Sequence, residues 1–326
     1  METREDTLSN IGSYYEVKAD KIRRHYKEKS SGFYCWNQLE HCEDYLVFNK
    51  NMGEYLSLDE TSLSKGELYT YLTNKAGKGK KGTLVACVKG TKSKDIVAIL
   101  TQLPLSERLK VKEVTVDMAR NMESAVLKSF TKAKVVTDRF HVVKLVLDAV
   151  QHLRVKLRWE AIDKENKNIE KCKTAGIRDE PKQYDNGDSP KQLLARSRYI
   201  LAKKEKNWTQ NQRERAAILY REYPQLEKAY KHCMQLRNIY ENDSKVRAEE
   251  LLNQWIEDTK SIGIEQFNTT AKSIIYNKEN ILNFFSNRNT NASAESFNSK
   301  VKLFRANLRG VTDVKFFLFR LSKLFA

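Results

Sequence analysis

The sequence predicts an α/β protein: a mixed five-stranded sheet with flanking helices, interrupted by a large all-α insertion. Three observations predict it. Five short runs rich in β-branched and aromatic residues lie between residues 55 and 137, in the order three strands joined by turns, then strand, helix, strand. Helical periodicity then runs almost unbroken from residue 191 to 285, with few Gly or Pro. Finally, two of the strands share one pattern of apolar, hydroxyl, apolar, Asp: Leu56-Ser57-Leu58-Asp59 and Val114-Thr115-Val116-Asp117.

Each element follows in turn. Residues 1–50 read as a helical N-terminal segment, with helices over Tyr14–Tyr26 and Trp36–Phe48. Residues 51–158 hold the strands Tyr55–Leu58, Leu68–Leu72, Thr83–Val88, Val114–Val116 and Val135–Thr137. The Gly-Lys run at Gly77–Gly82 is a hairpin turn between the second and third of them. Helices are expected over Ile96–Leu103 and Asn121–Phe130. His141–Trp159 is a long amphipathic helix, and the polar stretch over residues 160–190, with Pro181, Gly187 and Pro190, reads as a loop. Residues 159–285 form the helical insertion, with helices over Leu193–Lys203, Thr209–Tyr220, Leu226–Tyr240, Lys245–Thr259 and Ile264–Phe285. Residues 286–326 return to the first domain and carry a helix over Ala292–Arg309.

Composition narrows the partners. The chain has 326 residues and a formal net charge of +17, with residues 286–326 alone carrying eight Lys or Arg against Glu295 and Asp313. Such an excess favours a polyanion. No long apolar run suggests a membrane span, and the charged first residues lack the apolar core of a secretory signal. A cytoplasmic, nucleoid-associated protein is expected. Cys35, His41 and Cys42 lie close together, but their spacing does not fit a zinc finger and a fourth ligand is missing. The basic run Lys75–Lys81 lacks the Gly-Lys-Ser/Thr ending of a phosphate loop and reads as a solvated hairpin tip. Trp159, Trp208 and Trp255, at helical spacing among aliphatics, are expected in the core of the insertion rather than as base-stacking platforms.

The acids carry the chemistry. Side chains alternate along a strand, so Ser57 and Asp59 share one face, as do Thr115 and Asp117. If the two strands are neighbours, their carboxylates meet at one end of a sheet. Glu295, near the start of the late helix, is the candidate third acid. A single Asp at a strand end is more often a turn or helix cap, but two matching strands and an acid on a later helix shift the balance. Carboxylates hold hard divalent cations, and two such ions serve phosphodiester hydrolysis. Asp138, before the long helix, is an N-cap or a reserve acid, and His141 is a capping-turn residue or a group acting on water. On the late helix Phe297, Val301, Phe304 and Leu308 form an apolar stripe. Glu295, Asn298, Ser299 and Lys302 follow the other side. Asn298 and Lys302 are expected at the DNA backbone, with Arg305 and Arg309 extending the phosphate track.

These residues resemble a family. Leu58-Asp59-Glu60-Thr61-Ser62, Val116-Asp117-Met118, the heptapeptide Asp138-Arg139-Phe140-His141-Val142-Val143-Lys144 and Ala294-Glu295-Ser296-Phe297-Asn298-Ser299-Lys300-Val301-Lys302 resemble the DDE transposases of bacterial insertion sequences. The resemblance covers residues 50–326 and implies a ribonuclease-H-like catalytic fold. It implies Asp59, Asp117 and Glu295 as catalytic residues and metal ligands for two Mg²⁺ ions, with Mn²⁺ able to substitute. Arg139, His141, Asn298, Lys302, Arg305 and Arg309 would meet DNA. The implied partners are double-stranded transposon ends and target DNA, and a homodimer or larger assembly on them. Members of the family usually carry a zinc-binding segment and a helix-turn-helix ahead of the first catalytic strand. Residues 1–50 hold no paired CxxC, and against that pattern they would be a shortened DNA-binding region. Two rival readings stay open: a non-catalytic relative that only grips DNA, and a structure-specific nuclease on the same fold.

Overall fold

The structure, a computed structural model, describes residues 8–64, 66–288, 290–308 and 310–326. In chain order its elements are α1 (Leu8–Tyr14), α2 (Ala19–His25), β1 (Tyr45–Val47), β2 (Tyr55–Ser64), β3 (Glu67–Asn74), β4 (Leu84–Lys89), α3 (Ser93–Leu100), α4 (Leu105–Arg108), β5 (Glu113–Val116), α5 (Arg120–Ser129) and β6 (Lys134–Thr137). There follow α6 (Arg139–Thr174), α7 (Pro190–Arg196), α8 (Arg198–Ala202), α9 (Gln210–Glu222), α10 (Pro224–Ile239), α11 (Lys245–Ile262), α12 (Glu265–Tyr276), α13 (Lys278–Asn287), α14 (Ala292–Asn307) and α15 (Val314–Phe325). The chain divides into two compact units, one of residues 1–138 and 287–326 and the other Arg139–Ser286.

The first unit is built on one sheet in the order β1-β4-β3-β2-β5-β6. The strands β2, β3 and β4 pair antiparallel, and β5 and β6 join β2 in parallel. The sheet has six strands where five were expected. The extra one, β1, pairs with β4 and comes from a stretch expected to be helical. Strand alternation sorts the side chains. Leu56, Leu58, Val114 and Val116 point into one core with Ile96, Leu100, Met122, Ala125 and Val126 of α3 and α5. The opposite face carries Ser57, Asp59, Thr115 and Asp117 at its β2–β5 side. Further along, Tyr71 and Cys87 on that face pack with Phe297, Val301 and Phe304 of α14 and Phe317, Leu318 and Leu321 of α15.

Residues 8–50 are part of this unit, not a segment apart. Tyr26 and Phe33 pack on Phe316 and Phe319 of α15. Of the neighbouring Cys35, His41 and Cys42, Cys42 is buried in the core against α14 and α15. Its thiol donates to the Leu39 carbonyl, and burial pushes its pKa up to about 11. The His41 ring stacks on Tyr45.

The second unit is helical, and α7, α8, α10 and α12 all pack on α6. The expected stop of α6 at residue 159 is not observed: the helix runs on to Thr174, because residues 160–174 are polar yet contain no Gly or Pro. The unit boundary accordingly falls before α6, at Asp138, rather than at residue 158. Trp208 and Trp255 are buried as expected, and His232 stacks on Trp255 with ring centroids 4.4 Å apart. Trp159 is not buried; it is 58% exposed.

Candidate active site

The site grows from the register of three parallel strands. Ser57 pairs with Thr115, and Thr115 with Val136. Two residues further along each strand stand Asp59, Asp117 and Asp138, so the register brings the three strands to the same end of this face, where β5 and β6 stop. The Asp138 amide donates to the Val116 carbonyl at 2.8 Å, so the β5–β6 pairing runs up to the ends of those two strands. The strand β2 continues to Ser64, and Asp59 therefore stands mid-strand. By contrast, β5 ends at Val116, and Asp117 turns the chain toward α5: its Oδ1 accepts from the Ala119 amide at 2.9 Å. Asp117 thus fills the turn role weighed for a lone Asp. Its second oxygen has no hydrogen-bond partner among the described residues. Asp138 is buried.

The acidic helix α14 is held on this face by packing. Burial of Phe297, Val301 and Phe304 contributes roughly 2 kcal/mol each. The tip of the β3–β4 hairpin fixes the start of the helix. A Cβ on Gly79, whose φ is +68°, would come within 2.9 Å of Ser296 Oγ, and Lys300 Nζ donates to the Gly79 carbonyl at 2.6 Å. With the helix so placed, Asn298 reaches the sheet. Its Nδ2 donates to Asp59 Oδ2 at 2.7 Å, while Glu60 N donates to Asp59 Oδ1 at 2.8 Å. Asn298 is only 8% exposed, and its Oδ1 has no partner among the described residues. It therefore faces Asp59, where sequence periodicity had placed it outward with Glu295 and Lys302.

Glu295, one helical turn before Asn298, is exposed, and its carboxylate makes no hydrogen bond among the described residues. Lys302 is also exposed. Arg305 is engaged within the chain, where its Nη1 donates to the carbonyls of Ser62 and Leu63 at 2.8 and 3.3 Å. Arg309 lies outside the described residues. Arg139 and His141 open α6 in the second unit, where the Arg139 guanidinium stands 5.7 Å from the Tyr240 ring centroid and His141 packs edge-on against Phe140.

Two neighbours of the acids escaped the sequence reading. Lys75 was expected at a solvated tip. Instead it lies under the sheet face, donating to Thr115 Oγ1 and, at 3.3 Å, to Glu113 Oε1. Asn287 donates to the other Glu113 oxygen at 3.2 Å. Burial lowers the Lys75 pKa, opposed by the charges of Glu113 and Asp138. The other, Glu60, is raised by its partial burial and further by the Asp117 charge. The sequence held a signal for Lys75 only in its place, at the end of an apolar strand rather than among the glycines of the turn.

The donor set consists of carboxylate oxygens, the chemistry that suits Mg²⁺. Among the described residues, however, no three Asp, Glu, His or Cys side chains are gathered closely enough to hold an ion. Asp59 and Asp117 each follow a paired strand residue by two positions, and Glu295 stands one turn from the residue that touches Asp59.

A family model for DDE transposases of the ISL3 type, described as transposase, matches residues 56–321. No curated protein and no solved structure shows a significant match. The mixed sheet with its flanking helices agrees with the ribonuclease-H-like fold that such a family implies. No described helix is long and apolar enough to cross a membrane. From residue 56 to residue 321, through both the sheet unit and the helical unit, this chain belongs to the DDE transposase family.

Proposed function

We propose that the chain cuts DNA at transposon ends and joins the freed ends to target DNA, with Asp59, Asp117 and Glu295 holding two Mg²⁺ ions. What supports the reading is the pairing of Ser57 with Thr115, each two residues before its aspartate, together with the contact of Asn298 on α14 with Asp59. In the first step a water oxygen attacks the phosphorus at the transposon end. The bond to the 3′ oxygen breaks, and that oxygen leaves as a 3′-hydroxyl. In the second step this hydroxyl attacks a target phosphodiester, forming one P–O bond as another breaks. When bound, the ions would activate the attacking oxygen and neutralise charge on the leaving one.

The chain's own residues orient these groups. Asn298 fixes the rotamer of Asp59, and the turn at Ala119 fixes Asp117. Glu295, exposed and one helical turn before Asn298, supplies the third carboxylate. Asp138 is the reserve acid. Lys302 positions the phosphate backbone, and Mn²⁺ can replace Mg²⁺. Two transposon ends call for at least two copies of the chain, acting at the nucleoid. Sequence-specific end recognition is not assigned to this chain.

A second reading is a relative that grips DNA without cutting it, favoured by the absence of a gathered three-acid cluster among the described residues. Nicking of end-containing DNA with Mg²⁺, beside a binding titration, separates the two. Asp117→Asn should abolish nicking while binding stays equal or tightens, because a charge that repels phosphate is gone. Nicking by the variant at the wild-type rate would remove Asp117 from the mechanism. Absence of nicking by the wild type would favour the second reading.

A further inference from the structure

Three arginines gather on one side of α6 in the helical unit. Arg154 and Arg158 are one turn apart, and Arg154 is only 7% exposed. The Arg154 guanidinium donates from Nε to Gln151 Oε1 at 2.7 Å and from Nη1 to the Leu194 carbonyl at 2.9 Å. Gln151 in turn donates to the Arg198 carbonyl at 3.2 Å, which ties the start of α8 to the same turn of α6. Arg158 Nε is buried and has no partner among the described residues. Nor does a described carboxylate pair with any of the three. Their mutual effect is repulsive: after burial, the charges of Arg198 and Arg158 push the Arg154 pKa down. A cluster of like charges with only neutral partners is stabilised by an anion supplied from outside.

Two exposed aromatic residues are the chain neighbours of these arginines. Trp159 follows Arg158 and is 58% exposed, and Tyr199 follows Arg198 and is 66% exposed. The Arg198 guanidinium stands 5.7 Å from the Tyr199 ring centroid. Interleaved arginines and exposed rings match a nucleic-acid strand whose phosphates and base faces are both accessible. In a paired duplex the base faces are covered by stacking, so the rings gain most from unpaired bases.

We propose that this side of the helical unit binds a DNA strand with unpaired bases, Arg154, Arg158 and Arg198 taking its phosphates and Trp159 and Tyr199 stacking on its bases. The inference rests on DNA being the substrate. It does not depend on the roles given to the acids.

The test is a salt titration by fluorescence anisotropy with the full chain, on a labelled duplex and on the same duplex with an unpaired stretch. The wild type should bind the second DNA more tightly. Trp159→Ala with Tyr199→Ala should erase that preference, weakening binding to unpaired DNA roughly tenfold while leaving duplex binding nearly unchanged. Trp159→Phe should keep the preference. Arg158→Gln with Arg198→Gln should lower the slope of log K against log salt by about 1.4 on unpaired DNA. If melting curves show that Arg158→Gln unfolds the unit, the exposed Arg198→Gln alone should lower the slope by about 0.7. An unchanged preference in the aromatic double variant, or an unchanged slope in the folded arginine variant, overturns the proposal. Asp117→Asn serves as the control: loss of nicking with the preference intact keeps the two sites distinct. Continued nicking by it would refute the acid assignment and leave this one standing.

Discussion

Asp59 Oδ2 accepts from Asn298, a residue 239 positions away in the chain. A hydrogen bond to a charged acceptor contributes on the order of 1.5–3 kcal/mol, enough to hold one carboxylate rotamer over its alternatives. If Asp59 is a metal ligand, Asn298→Ala should raise the Mg²⁺ concentration for half-maximal nicking by about tenfold, the equivalent of 1.4 kcal/mol. DNA affinity should stay within about twofold, since Asn298 is nearly buried and turned toward the sheet. A variant with wild-type Mg²⁺ dependence but weakened DNA binding would instead return Asn298 to the DNA track. At this scale the sequence showed the two aspartates well, because strand alternation dictates which face Ser57, Asp59, Thr115 and Asp117 share. Asn298 was misplaced because helical periodicity alone cannot tell an outward polar residue from one that meets a carboxylate of another element. Lys75 was missed for a related reason: its partners, Thr115 and Glu113, come from a strand far along the chain.

Among the elements, the strands and the helices with strong apolar stripes were legible, and the connections were not. Residues 160–190 read as a loop because they are polar, yet half of them continue α6. The remainder is ordered around one carboxylate that gave no periodic signal. Asp188 is fully buried, bonded to Arg196 and, at 2.8 Å, to Arg215 Nε, with Asn186 Nδ2 donating at 3.1 Å. Burial alone would raise its pKa, but Arg215 and Arg196 outweigh it and hold the carboxyl below its ordinary value. Its contribution to stability is therefore present above the unfolded pKa near 3.9 and is lost as pH falls through the lower folded value. Asp188→Asn should cost on the order of 2 kcal/mol at neutral pH, because two arginines lose their counter-charge. The gap between the melting curves of variant and wild type should narrow below about pH 4. A gap that stays constant down to pH 2 would mean that the carboxylate charge is not what orders the loop. The helix α15 was also unannounced. It is buried on nearly all sides in the core of the first unit.

For the whole molecule, a net charge of +17 implies a polyanion partner, and membership of a transposase family makes that partner DNA. The charge is not spent uniformly. On α14, Arg305 is committed to the carbonyls of Ser62 and Leu63 and so helps to hold the helix on β2. Lys302, about two turns beyond Glu295, is exposed and makes no hydrogen bond or ion pair among the described residues. The two residues read as one phosphate track in the sequence, and their different surroundings should separate them in solution. Lys302→Ala should weaken binding about equally for transposon-end and random DNA, since phosphate contacts carry no sequence information, and should reduce the slope of log K against log salt by roughly 1. Its melting temperature should match the wild type. Arg305→Ala should lower the melting temperature as well, because two strand carbonyls lose a charged donor. The measurements are salt titrations on both DNAs and a thermal melt of each variant. An unchanged slope would place Lys302 off the DNA path, and a loss confined to end sequences would show that it reads bases. Equal melting of the two variants would show that Arg305 is free to serve DNA despite its contacts with β2.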